Sequence, residues 1–451
     1  MFFKKHLLNV INFILSGIIF GLGTYALTNE MIFSSNPNDH QNFPFFLLLF
    51  LITLSSFLIL FFLNLFNGRY KISKIIYISL FILFVIGFIT IIRFSSSTNF
   101  VFNLKDDETI SFVYEYSSLD RIINIFQLLI LFLIFITLFD IVPKIFKDFD
   151  YTLFASFLCL GIVTILMIIS YCIEGINYIN FFKYLLSDNK LTNYITHSAF
   201  ANRNSYGITL FIGICSCLYL HTKFKKFYFL IIAAFIHINI WFTLCKTANI
   251  LGLILIISYL LMRFFLTLKG NKKRNIISLI CISSISIILV STFLICLGVN
   301  NKFETFFYNI TGGTKFDSLF SRFAIFKGCI SLIKKTSIIF GAGYHNFNAI
   351  LNNIYGTSFT HNMWLEIFGS GGVILLICSL LFFVYLIILI IKNIKCYIDL
   401  SLLSLILVSI CLVYTFVESG SIIFPSTPEY LFLSIIIFVP ILQKSSSLLL
   451  K

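Results

Sequence analysis

Apolar runs of about 20 residues, each long enough to cross a hydrocarbon core roughly 30 Å thick, follow one another along almost the whole chain. Short polar segments separate most of them, and no stretch has the composition of a soluble domain. The pattern predicts an all-α, polytopic integral membrane protein with about twelve transmembrane helices. The predicted spans are residues 7–27, 43–66, 74–93, 122–142, 152–172, 205–220, 228–244, 247–267, 276–298, 364–391, 400–417 and 429–443.

The charges of the polar connections predict the topology. With both termini on the cytoplasmic side, nineteen of the 32 Lys and Arg residues but only four of the 18 Asp and Glu residues lie on that side. Because basic residues are enriched in cytoplasmic loops, this asymmetry supports the assignment of the spans. The long segments 94–121, 173–204 and 299–363 are then external.

Composition narrows the class of protein further. The chain is 59% hydrophobic and only 11% charged. Its net charge of +14 is spread over the loops instead of forming one basic face, which argues against nucleic-acid binding and indicates contacts with membrane lipids. Lys4-Lys5 followed by an apolar run predicts an uncleaved first helix. The eleven cysteines are dispersed and predict neither a metal site nor a disulfide framework.

The external segment 299–363 is unusual because most connections are only a few residues long. Within it, apolar residues from Phe316 to Ile333 recur at helical spacing, and Arg322 lies on an adjacent polar edge. This spacing predicts an amphipathic helix on the outer membrane surface. The chain is accordingly divided into nine transmembrane helices (1–298), a large helical external loop (299–363) and three further transmembrane helices (364–451).

Three polar features in or beside this loop are candidates for chemistry. They are Arg322 in Ser321-Arg322-Phe323, the sequence Gly341-Ala342-Gly343-Tyr344-His345, and His361-Asn362 just before the span at 364. Taken alone, each has a structural interpretation. These are a snorkelling arginine, a glycine-rich turn and an interfacial hydrogen-bonding histidine.

In this order the three features resemble the shared segment of the O-antigen ligase and polymerase superfamily. That segment has an external arginine in a Ser-Arg context, then Gly-x-Gly, then His-Asn at the head of a helix ending in a glycine pair. Here the pair is Gly371-Gly372, and the resemblance covers residues 315–375. This resemblance implies a fold and a chemistry for the chain, both of which are expectations.

Two further motifs are similar to that family more weakly. Asn202-Arg203-Asn204 resembles its Asn-rich entry to a helix. Leu244-Cys245-Lys246-Thr247-Ala248 falls where the family commonly has Ser-Arg-x-Ala. Lys246 in place of arginine keeps the charge but loses the fork that bonds two oxygens at once.

The resemblance implies an inverting, metal-independent glycosyltransferase without a cofactor, in the bacterial cytoplasmic membrane. Its donor and acceptor are undecaprenyl-pyrophosphate-linked oligosaccharides, and its protein partners are chain-length regulators and flippases. By the same resemblance, Arg322 binds the pyrophosphate with the help of Lys246 and Arg203. His361 is the base, since an imidazole titrates near pH 6.5. The remaining candidates, which bind sugar or are structural, are Asn204, Gly341, Gly343, His345 and Asn362.

The residues also leave alternatives open. Asp106-Asp107-Glu108 in an external segment is a second candidate for the base or for a metal site, although three adjacent acids are usually only solvated. Glu174 and Glu366, which lie near span ends, are further candidates for the base. His237, inside an apolar run, is either functional or a neutral residue hydrogen-bonded between helices.

Within the resembling family, the favoured function is polymerisation of lipid-linked repeat units into a capsular or O-antigen-type polysaccharide. A ligase, which transfers a finished glycan to another acceptor, is the alternative. From a different class, a polysaccharide flippase would also have about twelve spans, but transporters typically show repeated halves, and no internal repeat is found.

Overall fold

The computed structural model describes the greater part of the chain. The described residues are 2–28, 43–68, 70, 74–93, 97–103, 109–115, 118–146, 149–170, 203–243, 245–267, 317–342, 347, 351, 360–394, 397–417 and 431–438. They are helical apart from one hairpin and short turns. They divide into two compact units, of which unit 1 comprises residues 1–147, 324–386 and 418–451, and unit 2 comprises 148–323 and 387–417.

Unit 1 is built around the first helices of the chain. Their bounds are Phe2–Thr28 (α1), Phe43–Phe66 (α2), Lys74–Arg93 (α3), Ser118–Ile136 (α4) and, after a π-helical turn at Thr137–Ile141, Val142–Ile145 (α5). Helix α1 packs on α2 and α4, and α3 packs on α4. Unit 1 also holds most of the helices Asp317–Thr336 (α10) and Met363–Asn393 (α11).

An antiparallel hairpin follows α3. Strand Ser97–Asn103 (β1) pairs with Thr109–Glu115 (β2), in a register that places Phe100 opposite Phe112. The apolar pattern did not predict this hairpin, which lies in the long segment 94–121. Asp106, Asp107 and Glu108 belong to the connection between the strands and lie outside the described residues.

Unit 2 contains the helices of the middle of the chain and one from its C-terminal part. Their bounds are Phe149–Ser170 (α6), Arg203–Phe224 (α7), Tyr228–Thr243 (α8), Lys246–Thr267 (α9) and Ile398–Val417 (α12). Helix α7 is central, because it packs against each of the other four. Glycines 161 and 213 let α6 and α7 approach closely: a Cβ at Gly161 would lie 3.7 Å from the Cα of Gly213.

Seven helices among the described residues are long and apolar enough to cross a membrane, and two shorter apolar helices accompany them. Exposed side chains on these helices are large and apolar, such as Phe13, Ile59 and Leu381, whereas buried positions include Asn12 and Asn64. This distribution suits a lipid solvent, and the chain is an α-helical membrane protein. The count of twelve spans stays a prediction, and the span at 276–298 lies outside the described residues.

Polar contacts in unit 1 join helix ends that the charge pattern assigns to one side of the membrane. Asn12 of α1 and Asn64 of α2 exchange two side-chain hydrogen bonds of 3.0 and 2.9 Å. Tyr70, which follows α2, donates to the Asp140 carboxylate, and Lys144 forms an ion pair with Asp140 at 2.5 Å. The end of α2 and the end of the α4–α5 helix therefore lie together, as the predicted topology requires.

Unit 2 has a corresponding cluster. Asp399, at the start of α12, accepts hydrogen bonds from Lys225 in the α7–α8 turn and from Arg263 near the end of α9, the latter at 2.9 Å. Tyr219 of α7 donates to Asp150 at the start of α6. Within this unit too, the helix ends predicted to share one membrane side are in contact.

Candidate active site

Helix α11 is interrupted at Gly372, whose backbone has φ 67° and ψ −167°. A positive φ of this size is disfavoured for residues with a Cβ atom. The interruption separates nine helical residues, 363–371, from 21 residues, 373–393. The apolar run predicted one continuous span at 364–391, so the break is a feature that the hydrophobic pattern did not reveal.

The break is filled by the turn that contains Gly341. Ala342 N–H donates to Gly369 O at 2.7 Å, and Val373 N–H donates to Ile338 O at 2.8 Å. A longer bond of 3.5 Å joins Ile374 N–H to Ile339 O. The turn 337–342 thus satisfies backbone groups that the broken helix would otherwise leave without intrahelical partners.

The turn approaches so closely because glycines face each other. Gly341 has φ +66°, and a Cβ there would lie 2.5 Å from Gly369 O and 2.7 Å from Gly371 N. A Cβ at Gly372 would lie 2.1 Å from Ile339 O. No side chain fits at either position without moving backbone, so Gly341 of the Gly-x-Gly motif and the glycine pair are two halves of one contact.

A small apolar core supports this contact. It consists of the buried side chains of Cys329, Leu332 and Ile333 from α10, with Ala342, Phe347 and Leu351. The ring of Phe347 lies where a Cβ at Gly369 would be only 2.4 Å away. Ile325 of α10 and Leu365 and Phe368 of α11 pack against this apolar core. The predicted helix over these residues is confirmed, and one face of it packs on protein. Its position on the outer membrane surface stays a prediction.

Burial raises the pKa of the Cys329 thiol to about 12, and the neighbouring Glu366 charge acts in the same direction. The thiol therefore stays neutral at physiological pH and behaves as a core residue. Glu366 is itself buried in the first turn of α11. A carboxylate there is favoured by the positive end of the helix dipole.

His361 and Asn362 lie at the entrance to α11. Asn362 Oδ1 accepts a 3.0 Å hydrogen bond from Leu365 N–H, which makes Asn362 the N-cap of the helix. The buried Thr360 hydroxyl donates to Asn362 O at 2.7 Å and accepts from Asn362 N–H at 3.1 Å. Residues on both sides of His361 are thereby fixed.

His361 is half-buried and has a φ of 51°, in the left-handed region. Among the described residues only His361 and Lys225 have a positive φ without being glycine. Such conformations persist where surrounding contacts impose them, and they are frequent at functional sites. Thr360 and Asn362 supply those contacts here, so the imidazole is held on a rigid support.

Unit 2 carries the other predicted cationic positions at the beginnings of two helices in contact. Arg203 and Asn204 begin α7, and Lys246 begins α9. One turn into α7, a Cβ at Gly207 would lie 2.6 Å from the Cβ of Cys245, the residue before Lys246. The weaker motifs at 202–204 and 244–248 therefore lie at the same end of two packed helices.

For the remaining candidate residues, the structure describes the backbone alone or does not describe the residue. Arg322 belongs to α10, as predicted, but its side chain is outside the described part, as are those of Arg203 and Lys246. Asn202, Gly343, His345 and Glu174 lie outside the described residues. The structure brings Gly341 to the helix that His361 and Asn362 precede, and it brings the 203–204 and 246 positions to neighbouring helix ends.

Two groups outside this region bear on the alternatives. His237 is buried on α8 against α9, where a Cβ at Gly252 would lie 3.0 Å from its Nδ1. That position suits an interhelical core residue. Over the described ranges, no group of three or more His, Cys, Asp or Glu is arranged to hold a metal ion.

Thr360 and Phe347 hold the site in place, and neither was among the residues predicted from the sequence. Thr360 had a usable signal, because a Thr two residues before a capping Asn often bonds the local backbone. Phe347 had none, since its partner Gly369 is 22 residues away and the contact depends on the tertiary fold.

Comparisons with known proteins add no relative. No protein-family model matches the chain. No curated protein and no solved structure matches it either. The resemblance to O-antigen ligases and polymerases therefore rests on the motifs alone, and support for a function comes from the residues and their contacts.

Proposed function

We propose that the chain is an inverting glycosyltransferase of the bacterial cytoplasmic membrane that polymerises undecaprenyl-pyrophosphate-linked repeat units at the outer face. The observation that carries the proposal is the contact between Gly341 and the 369–372 segment of α11. Gly341 and the glycine pair at 371–372, which were recognised separately along the sequence, pack against each other. His361 stands at the entrance of the same helix, about 16 Å along the axis from Gly372 at 1.5 Å per residue.

The proposed chemistry is a single displacement. The acceptor hydroxyl oxygen bonds to the anomeric carbon as the bond from that carbon to the phosphate oxygen breaks, which inverts the anomeric configuration. His361 takes the hydroxyl proton, and the lipid pyrophosphate departs with the bonding electron pair. Arg322 neutralises the departing diphosphate with two parallel hydrogen bonds. Lys246 and Arg203 add positive charge to the same task.

The break in α11 bears on the transporter alternative, because discontinuous helices are frequent in transporters. There, the free N–H groups of the second half-helix bind anionic substrates. In this chain the N–H groups of Val373 and Ile374 are taken by Ile338 O and Ile339 O. The break is thus occupied by the protein's own turn, which favours a rigid enzyme scaffold over an ion or substrate site.

The choice between polymerase and ligase depends on the acceptor. We propose the polymerase because Lys246 departs from the arginine common in the family and the external loop is long. A ligase would use the same donor chemistry, so both predict a need for Arg322 and His361.

Substitutions at these two residues test the proposal in cells. His361→Gln and Arg322→Ala should accumulate unpolymerised lipid-linked repeat units at normal protein level. Loss of a general base lowers rates by about 100- to 10000-fold, and loss of one oxyanion donor by about 100- to 1000-fold. His237→Gln, in the core of unit 2, is the matched control for a histidine change. Normal chain formation by His361→Gln would reduce the histidine to a structural role.

A further inference from the structure

Helix α11 is longer than a membrane span requires, and the break divides it into two shorter pieces. Its 31 residues would extend about 46 Å as one helix, against a hydrocarbon core of roughly 30 Å. The piece 373–393 is about 32 Å long, which is enough to cross the core by itself. Its first charged residue is Lys392, near the end. The piece 363–371 contains Glu366 and is not needed to span the hydrocarbon core.

The piece 363–371 instead packs with the loop that precedes it. Together with α10 from residue 325, the turn 337–342 and residues 347, 351 and 360–362, it forms a body with its own apolar core, which we call the outer module. Its backbone joins the spanning piece through the bonds from Val373 and Ile374 to Ile338 and Ile339. The module therefore begins at the level where the spanning helix ends.

Two isoleucines at that junction are exposed. Ile338 is 52% exposed and Ile339 is 53% exposed, although both carbonyl groups are bonded to the spanning piece. Exposed apolar residues continue on that piece at Ile377 and Leu381. On α10, farther from the junction, Lys327 and Lys334 are exposed.

We propose that Ile338 and Ile339 form a membrane-contact surface of the outer module, inserted among the acyl chains of bilayer lipids at the edge of the hydrocarbon core. Bilayer lipid is the occupant because the helix to which the two carbonyl groups are bonded is a membrane-spanning piece that itself carries exposed apolar side chains, Ile377 and Leu381. Contact with lipid would set the height of the module, and with it His361, above the membrane. The inference holds whether or not the chain is a glycosyltransferase.

Depth-dependent fluorescence quenching tests the surface directly. Single cysteines replace Ile338, Ile339, Lys327 or Lys334 in a cysteine-free full-length chain, are labelled with bimane and are reconstituted in phosphatidylcholine–phosphatidylglycerol vesicles. Nitroxide lipids labelled near the headgroup end of the acyl chain should quench labels at 338 and 339 at least about twofold more than labels at 327 and 334, as expected about 5–10 Å into the interface. Equal quenching at all four positions would overturn the proposal.

A second measurement keeps the test valid if the cysteine-free chain folds poorly. A photoreactive benzoylphenylalanine at 338 or 339, in the chain with its native cysteines, should cross-link to phospholipid. The same residue at 327 or 334 should not. Cross-links from 338 and 339 to protein and not to lipid would show that the surface is a protein interface, which contradicts the proposal.

Discussion

Replacing Gly341 by alanine should release the turn 337–342 from the break in α11. The new Cβ would lie 2.5 Å from Gly369 O, 2.6 Å from Ser370 C and 2.7 Å from Gly371 N, all of them backbone atoms that cannot rotate away. The left-handed backbone adds about 1–2 kcal/mol, and overpacking typically adds about 1–3 kcal/mol. Alanine therefore opposes docking by about 2–5 kcal/mol.

This cost is comparable to the free energy that the hydrogen bonds of the docked turn contribute. Three backbone hydrogen bonds hold the turn to α11, and a hydrogen bond contributes a net of about 0.5–1.5 kcal/mol. One of the three is long, at 3.5 Å. The undocked turn would expose the core around Cys329.

Alkylation of Cys329, as the sole cysteine of the chain, measures the change. In the parent protein the thiol is buried and, with a pKa of about 12, neutral, so it should react very slowly at pH 8. A shift of about 2–5 kcal/mol multiplies the open population by a factor between about 30 and more than 1000. The reaction rate should rise accordingly in Gly341→Ala.

Two glycines provide matched controls. Gly68 has φ +66°, but a Cβ added there would have no neighbour within 4 Å. Gly68→Ala therefore isolates the free-energy cost of the left-handed backbone, at a turn distant from Cys329. Gly17, in α1, has neither a positive φ nor a neighbour within 4 Å. Both alanine variants should leave Cys329 slow to react. An unchanged Cys329 rate in Gly341→Ala would refute the docking argument.

Three further predictions concern other parts of the chain. Gly207→Ala should impair polysaccharide formation, because the new Cβ would meet the Cβ of Cys245 at 2.6 Å and separate the helix ends that carry Arg203 and Lys246. Gel ladders of the cellular polysaccharide, compared at equal protein level, would check it. Tyr70→Phe should lower stability by about 1.5–3 kcal/mol, the value of a hydrogen bond to a charged group, as measured by unfolding in detergent. Burial raises the pKa of Tyr70 well above its usual range, so this contribution should be constant from pH 6 to about pH 9 and should fall above about pH 10, where the unfolded tyrosine ionises. Arg322→Lys should remain impaired, because a point charge replaces a fork, and normal polymer from this variant in cells would favour a snorkelling role.

The transmembrane helices were predictable because each is a long apolar run with clear limits. Helices α2 and α3 begin and end at the predicted residues, 43–66 and 74–93. Their ends coincide with Asn, Gly, Lys and Arg, which leave the hydrocarbon core. Length and apolarity suffice for such elements, and no tertiary contact is needed to place them.

The break in α11 could not be predicted in the same way. The apolar run continues on both sides of Gly372, and glycine is frequent in transmembrane helices. The break exists because Ile338 O and Ile339 O, more than 30 residues earlier, accept the freed N–H groups. The hairpin at 97–115 is a related case, since its short strands lie in a polar segment that was interpreted only through its charges.

The candidate site was predictable as residue types and not as contacts. His361-Asn362 and the glycines drew attention as motifs, and Asn362, expected either to bind sugar or to be structural, has a structural role as the cap of α11. The positive φ of His361 and the bonds from Thr360 depend on the local fold. They give the histidine a fixed position that spacing alone could not supply.

Chain extension by the purified protein tests the central claim most directly. The full-length chain, reconstituted in liposomes, is given undecaprenyl-pyrophosphate-linked repeat units together with a chelator. We expect longer lipid-linked glycans, released undecaprenyl pyrophosphate, and inversion at the new glycosidic bond, with none of these in the Arg322→Ala and His361→Gln proteins. Movement of the lipid-linked oligosaccharide across the bilayer without a new glycosidic bond would contradict the enzyme assignment. Activity that requires added magnesium or manganese would contradict the metal-independent mechanism and direct attention to Asp106, Asp107 and Glu108.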